Sequence, residues 1–268
     1  MLLTKRLMAK GFSTQGSGTQ GSPYMGEMGP LCPGPDSGQY DSSTDTGYYG
    51  FVPDVDLISG DALALKISLT DGTSFNSDAG WLKFYVGFGA DCNRKSPKVP
   101  YVLYVAKKPY RGNLSWGSVS QVNAIYGDRE EIIGGDPYKV RLLTGADADP
   151  ASEDRLAPCA NDFGRGSEWN CLMYRVHEAI PSCADTSIGL SADANAHGGP
   201  QVGTNWADYT NGDLGVGGGS SSPASWVQEL VGSHRPWRGR FGIADKGAWG
   251  DTAHASRGWR PALEFSSS

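Results

Sequence analysis

Two runs constrain the fold most: WLKFYVGFG at residues 81–89 and VPYVLYVAKK at 99–108. Both are dense in aromatic and β-branched residues, which fit a pleated, half-buried surface. Each is expected to be a strand packed in a sheet. ALALKISL (62–69) alternates, with Leu63, Leu65, Ile67 and Leu69 on one face. It is expected to be a half-buried strand ended by the Asp71-Gly72 turn. In LSWGSVSQVNAIYGD (114–128) the period changes: Val119, Val122, Ile125 and Tyr126 recur at helical spacing, Ser115 is placed to cap and Gly127 to stop. YKVRLL (138–143) returns to strand. EWNCLMYRVHEAI (168–180) reads as a second helix, with Trp169, Leu172, Met173, Val176 and Ile180 on one face, Ser167 as a cap and Pro181 beyond it.

The rest is loop-rich by composition. Of 268 residues, 38 are Gly and only 19% are charged, so many turns are set by backbone geometry that Gly alone adopts without steric cost. Eight Trp and twelve Tyr supply enough area for a core despite this. Residues 11–50 consist mostly of Gly, Ser, Thr, Gln, Pro and Asp, too little apolar surface to fold alone. The expected organisation is an extended docking arm at 1–59, held by neighbouring subunits, and one globular domain at 60–268. Its class is α+β, with two helices, short antiparallel sheets and much irregular loop.

Charge and motifs exclude several functions. A net charge of −6 argues against nucleic-acid binding. No apolar run is long enough to span a bilayer, and MLLTKRLMAKGF (1–12) is too broken for a signal peptide. The five cysteines, Cys32, Cys92, Cys159, Cys171 and Cys183, are odd in number and form no Cys-x-x-Cys, so buried free thiols are expected. The four histidines are scattered, and VHEAI lacks the second His of a zinc helix. His177 is therefore expected on a helix surface. GVGGGSSS (215–222) lacks the Lys of a phosphate loop, and Asp147, Asp149, Glu153 and Asp154 read as solvated loop charges rather than a calcium site. No metal and no cofactor are expected.

Five short motifs stand in a telling order: Ser115-Trp116; Arg141-Leu142-Leu143-Thr144; Glu168-Trp169-Asn170; Arg238-Gly239-Arg240; and Gly258-Trp259-Arg260. This order resembles the C-type-lectin-like fold in its formylglycine-generating, sulfatase-modifying form. The variant with AKKP ahead of the first helix and GWRP near the end is similar to domains of phage virion proteins, tail fibres included. The match spans roughly residues 100–265. The enzymes of the family hold copper with two cysteines near the chain end, whereas nothing after Cys183 is a cysteine here. The resemblance thus implies the fold without that chemistry.

The residues fit structural roles. Trp116 and Trp169 are expected as core anchors, Arg141 and Glu168 as a partly buried ion pair, and Arg260, between Trp259 and Pro261 on an apolar strand, as a cation needing an inside acceptor. Trp206, Tyr209, Trp237 and Trp249 fall in Gly/Asn/Ser-rich stretches of the kind used by adaptable binding surfaces, and are the candidate ligand residues. The implied function is a non-enzymatic virion subunit, a head-decoration or tail and fibre accessory, assembled in the host cytoplasm. Its partners are other virion proteins through the arm, further copies of itself, and a host-surface glycan or protein. A stand-alone carbohydrate- or protein-binding module is the second reading and a divergent oxygenase the third.

Overall fold

The computed structural model describes residues 32–35, 38–41, 45–87, 100–145, 167–178, 205–218, 223–230, 233–243 and 245–265. Two sheets, mostly antiparallel, are joined by few and short helices. The first sheet has strands β1 (Gln39–Asp41), β2 (Thr46–Val52), β4 (Trp81–Val86), β5 (Tyr101–Ala106), β7 (Tyr126–Ile133), β8 (Asp136–Arg141) and β13 (Ala262–Phe265), in the order β1-β2-β4-β5-β13-β8-β7. The second has β3 (Thr73–Ser74), β6 (Arg111–Gly112), β9 (Ala224–Trp226), β10 (His234–Arg238), β11 (Lys246–Gly250) and β12 (Arg257–Trp259), in the order β11-β10-β9-β12-β6-β3. Among the strand pairs of the described residues, only β9 and β12 run parallel.

The two aromatic runs are the adjacent central strands β4 and β5, registered from Trp81 opposite Ala106 to Val86 opposite Tyr101. Both faces of this sheet are covered. Trp81, Tyr85, Val102, Tyr104 and Leu263 join one apolar cluster, and Leu82, Phe84, Leu103, Val105 and Ala262 join the other. The first cluster also takes Trp226, Trp237 and Trp259 from the second sheet. The final strand β13 lies between β5 and β8, which puts Arg260 and Trp259 at the junction of the two sheets.

Several expectations are corrected. Residues 62–69 are not a strand. Helix α1 spans Gly60–Lys66, capped by Ser59, whose side chain accepts from the Ala62 N–H. Leu63, Ala64 and Ile67 are buried while Leu65 is 80% exposed. The alternation of Leu was ambiguous because Ala64 is equally apolar, and Ala, Leu and Lys all favour helix. The helix ends with paired bonds from Leu69 N to Ala64 O and from Ser68 N to Leu65 O, a Schellman closure that places Ser68 at φ +65°. Gly is preferred there because it lacks the Cβ clash. Ser68→Gly is therefore expected to raise stability by about 1 kcal/mol, read as a shift of the urea midpoint. An unchanged or lower midpoint would show that the serine side chain compensates.

Helix α2 spans Trp116–Gln121 with Ser115 as its cap, as expected, but stops short of Tyr126. Asn123 takes the left-handed position, and Ala124 N bonds back to Val119 O. The chain then enters β7, unmarked in the sequence reading, which pairs with β8 around Gly134 and Gly135, both at positive φ. Residues 169–176 form a π-type turn (Trp169–Met173) followed by a 3-10 turn (Tyr174–Val176) rather than an amphipathic helix, and every residue from Ser167 to His177 is buried. Ser167 Oγ does accept from the Asn170 N–H.

The segment assigned to an arm also contributes to the fold. β1 and β2 belong to the first sheet, and Tyr48, Tyr49 and Val52 are core residues. Cys32 is buried in the first cluster. Cys171 is disulfide-bonded, contrary to the free-thiol expectation, with its partner outside the described residues. Cys92, Cys159 and Cys183, the acidic loop at 147–154, residues 1–31 and 179–204 lie outside them as well. No helix among the described residues is long and apolar enough to cross a membrane.

Candidate functional site

The anticipated ion pair is present and wholly buried. Arg141, the last residue of β8, meets Glu168 through two parallel bonds, Nη1 to Oε2 at 2.7 Å and Nη2 to Oε1 at 2.6 Å. This fork geometry is among the stronger charge-assisted arrangements. Arg141 Nε also donates to Glu264 Oε2 at 2.8 Å. Glu168 accepts from the Tyr101 hydroxyl at 2.8 Å and from the Thr144 N–H at 3.0 Å. Burial opposes the charge on Glu168, but the Arg141 guanidinium, the Thr144 N–H and the Tyr101 hydroxyl together hold its pKa below the usual carboxylate value. The same burial, with Glu168 beside it, raises Tyr101 well above an ordinary phenol. The pair ties β5, β8, β13 and the turn at 168 into one frame.

Arg260 finds its inside acceptors in the backbone. Its Nε donates to Ser225 Oγ at 2.9 Å, Nη1 to Ala106 O at 3.0 Å and Lys107 O at 2.6 Å, and Nη2 to Leu214 O. These join β5, β9 and helix α3 (Asn211–Leu214). Burial without a carboxylate partner pulls its pKa down to about 9. Its guanidinium carbon lies 5.5 Å from the Trp169 ring centroid. Trp116 and Trp169 are core anchors with satisfied indoles, donating to Val227 O at 2.9 Å and Ile243 O at 2.7 Å. Trp259 is fully buried.

The four candidate ligand residues separate into two places. Trp206 and Tyr209 lie against the second apolar cluster. Trp206 is only 5% exposed and carries the Arg175 guanidinium 3.5 Å from its ring centroid. It is core, not display surface. The Tyr209 hydroxyl meets that of Tyr48 at 3.0 Å, and its ring carries Lys107 Nζ at 4.4 Å. Trp237 and Trp249 stack on the second sheet with centroids 4.5 Å apart. Trp237 is also 5% exposed, leaving Trp249 as the partly open ring.

No protein-family model, curated protein or solved structure matches the chain significantly.

Sequence reading missed the arginines around these rings. Arg175 is buried and pairs with Asp41 at 2.8 Å, fastening β1 to the 174–176 turn. Burial, opposed by Asp41, lowers its pKa to about 10. Arg238 donates to Gly145 O at 2.8 Å and to Asn170 Oδ1. Arg235 lies 4.8 Å from the Trp116 centroid. Arg240 and Arg257 lie 4.9 and 4.8 Å from that of Trp249. A signal was there to be read. Residues 233–260 hold six basic residues (Arg235, Arg238, Arg240, Lys246, Arg257, Arg260) against two acidic ones (Asp245, Asp251), in a chain that is acidic as a whole.

His177 is not on a surface. It is buried, and Nε2 meets Asn211 Oδ1 at 3.0 Å; burial lowers its pKa despite that bond. Among the described residues, no three His, Cys, Asp or Glu side chains gather where they would hold a metal ion.

Proposed function

We propose that this protein is a non-enzymatic structural subunit of a phage virion, a head-decoration or tail and fibre accessory component. It displays a lectin-like domain that attaches to the host surface or stabilises the particle. The carrying observation is how the interior charges are spent. Arg141 and Glu168 satisfy each other through two parallel bonds, and Arg260 satisfies three backbone carbonyls. Both fall in motifs whose order prompted the lectin-like reading. Such buried networks specify one geometry rather than perform chemistry, which suits a firm platform carrying variable loops. The short helices and mostly antiparallel sheets are compatible with that fold.

Docking onto neighbours falls to residues upstream of the sheet, because β1 and β2 are built into it. Deleting residues 1–31 leaves every described strand in place. The truncated chain is expected to fold but to be absent from particles, as measured by mass spectrometry of purified virions from a host supplying only that form. Wild-type copy number in those particles would remove the docking role, and absence of the full-length chain from virions would remove the reading itself.

A further inference from the structure

Most partly or fully buried arginines here have an evident partner. Carboxylates stand at 3.4 Å from Arg111, 2.6 Å from Arg129, 2.6 Å from Arg141 and 2.8 Å from Arg175. Arg238 and Arg260 are held by oxygen acceptors of the frame. Arg240 differs. It is half-buried, makes no hydrogen bond or ion pair among the described residues, and rests only on the rings of Phe241 and Trp249. Its Nε is buried without a partner.

Arg257 rests on the same Trp249 ring, so the two cations cannot be further apart than their two ring distances combined. Its Nη1 donates to Gly250 O at 3.1 Å and to Thr252 O and Oγ1, while its Nε is buried and unpartnered. Trp237 Nε1, beneath the stack, is also a buried donor with no acceptor. Burial lowers the Arg257 pKa, Asp251 opposes this, and the neighbouring Arg240 charge lowers it further. Two like charges on one ring, with the Arg240 terminal nitrogens making no hydrogen bond among the described residues, favour an incoming anion.

The surroundings suit a small ligand. β11 is the edge strand of its sheet. A Cβ built on Gly250, next to Trp249, would meet nothing within 4 Å. Asp251, Thr252 and His254 beside it are exposed, giving polar groups for hydroxyls at the rim.

We propose that Arg240 and Arg257, carried on Trp249, form a binding site for the oxyanion of an acidic saccharide. Guanidinium forks match carboxylate, sulfate and phosphate alike, and the partly open indole and polar rim suit a sugar ring. An overall charge of −6 disfavours a long polyanion such as nucleic acid, since distant repulsion acts along its whole length. This inference rests on the attachment reading for its purpose but is separable from it: binding is measured on the purified chain, incorporation on particles.

The test is calorimetric titration of the full chain at low salt with three oligosaccharides of matched length: oligogalacturonate, sulfated dextran and neutral dextran. At least one acidic probe is expected to bind and the neutral one not, and comparison of the two acidic probes identifies the anion. Arg240→Gln breaks no hydrogen bond, so it should keep the thermal midpoint and weaken binding tenfold or more. Arg257→Gln should weaken it similarly, while Arg129→Gln, on the other sheet, should change it less than twofold. No binding of either acidic probe at millimolar concentration would overturn the site. So would equal loss in Arg240→Gln and Arg129→Gln, which would mark diffuse attraction only.

Discussion

Replacing Glu168 with Gln is expected to cost about 3 kcal/mol of folding stability, because a buried ion pair stripped of one charge leaves the other poorly compensated. Arg141 would keep Glu264 at 2.8 Å but lose one of its two parallel bonds, since an amide offers a single acceptor oxygen, and Tyr101 and Thr144 would lose a charged acceptor. The measurement is the urea unfolding midpoint with an unchanged m-value. Arg141→Met combined with Glu168→Met should recover part of that loss relative to either single change, because no fully buried charge is then stranded and the partly exposed Glu264 keeps Lys139 at 3.7 Å. A Glu168→Gln protein within about 1 kcal/mol of wild type would show that Glu264 alone neutralises Arg141.

The same pair sets an acid limit. The folded pKa of Glu168 lies below the 4.5 of a free glutamate. The unfolded chain therefore binds the proton first, and stability falls with falling pH. The contribution is whole above about pH 4.5 and drains as pH drops through the lower folded value. Stability of the Glu168→Gln variant should decline less between pH 5 and 3 than that of the wild type. Parallel curves would assign the acid sensitivity to other carboxylates.

Arg260→Lys should be as damaging, with an expected loss of about 3 kcal/mol or more. A lysine keeps the charge but not the planar fork that reaches Ser225, Ala106, Lys107 and Leu214 together. Each buried carbonyl left without a donor costs about 1–3 kcal/mol. The loss should appear as a lower thermal midpoint with near-UV dichroism altered around the tryptophans, since Trp169 lies against this guanidinium. A lysine variant that unfolds at the wild-type temperature would show that water or a local shift replaces the arginine readily.

These two sites also show why some of the protein was legible in its sequence. An arginine beside Trp259 on an apolar strand, or a glutamate heading an apolar run, is an anomaly of local pattern. It requires a partner even before the partner is known. The aromatic strands β4 and β5 and the cap at Ser115 were legible for the same reason. Strand β7 was not. Its acidic, half-exposed stretch has no strong pattern of its own, and only the turn at Gly134-Gly135 betrays the hairpin. Residues 62–69 were misread because two periods fit the same letters. Ser59, the cap that decides between them, lies outside the alternating run.

The sequence by itself determined the aromatic strands of the sheet and the need for inside partners at Arg141, Glu168 and Arg260, since each follows from residues within one turn or one strand. Only the tertiary structure decided that Thr46–Val52 joins the sheet, that Trp206 is core, and that Arg240 and Arg257 share the Trp249 ring. Those outcomes depend on cross-strand and loop contacts between residues far apart in the chain, where the identity of a neighbour is set by topology and by no local period.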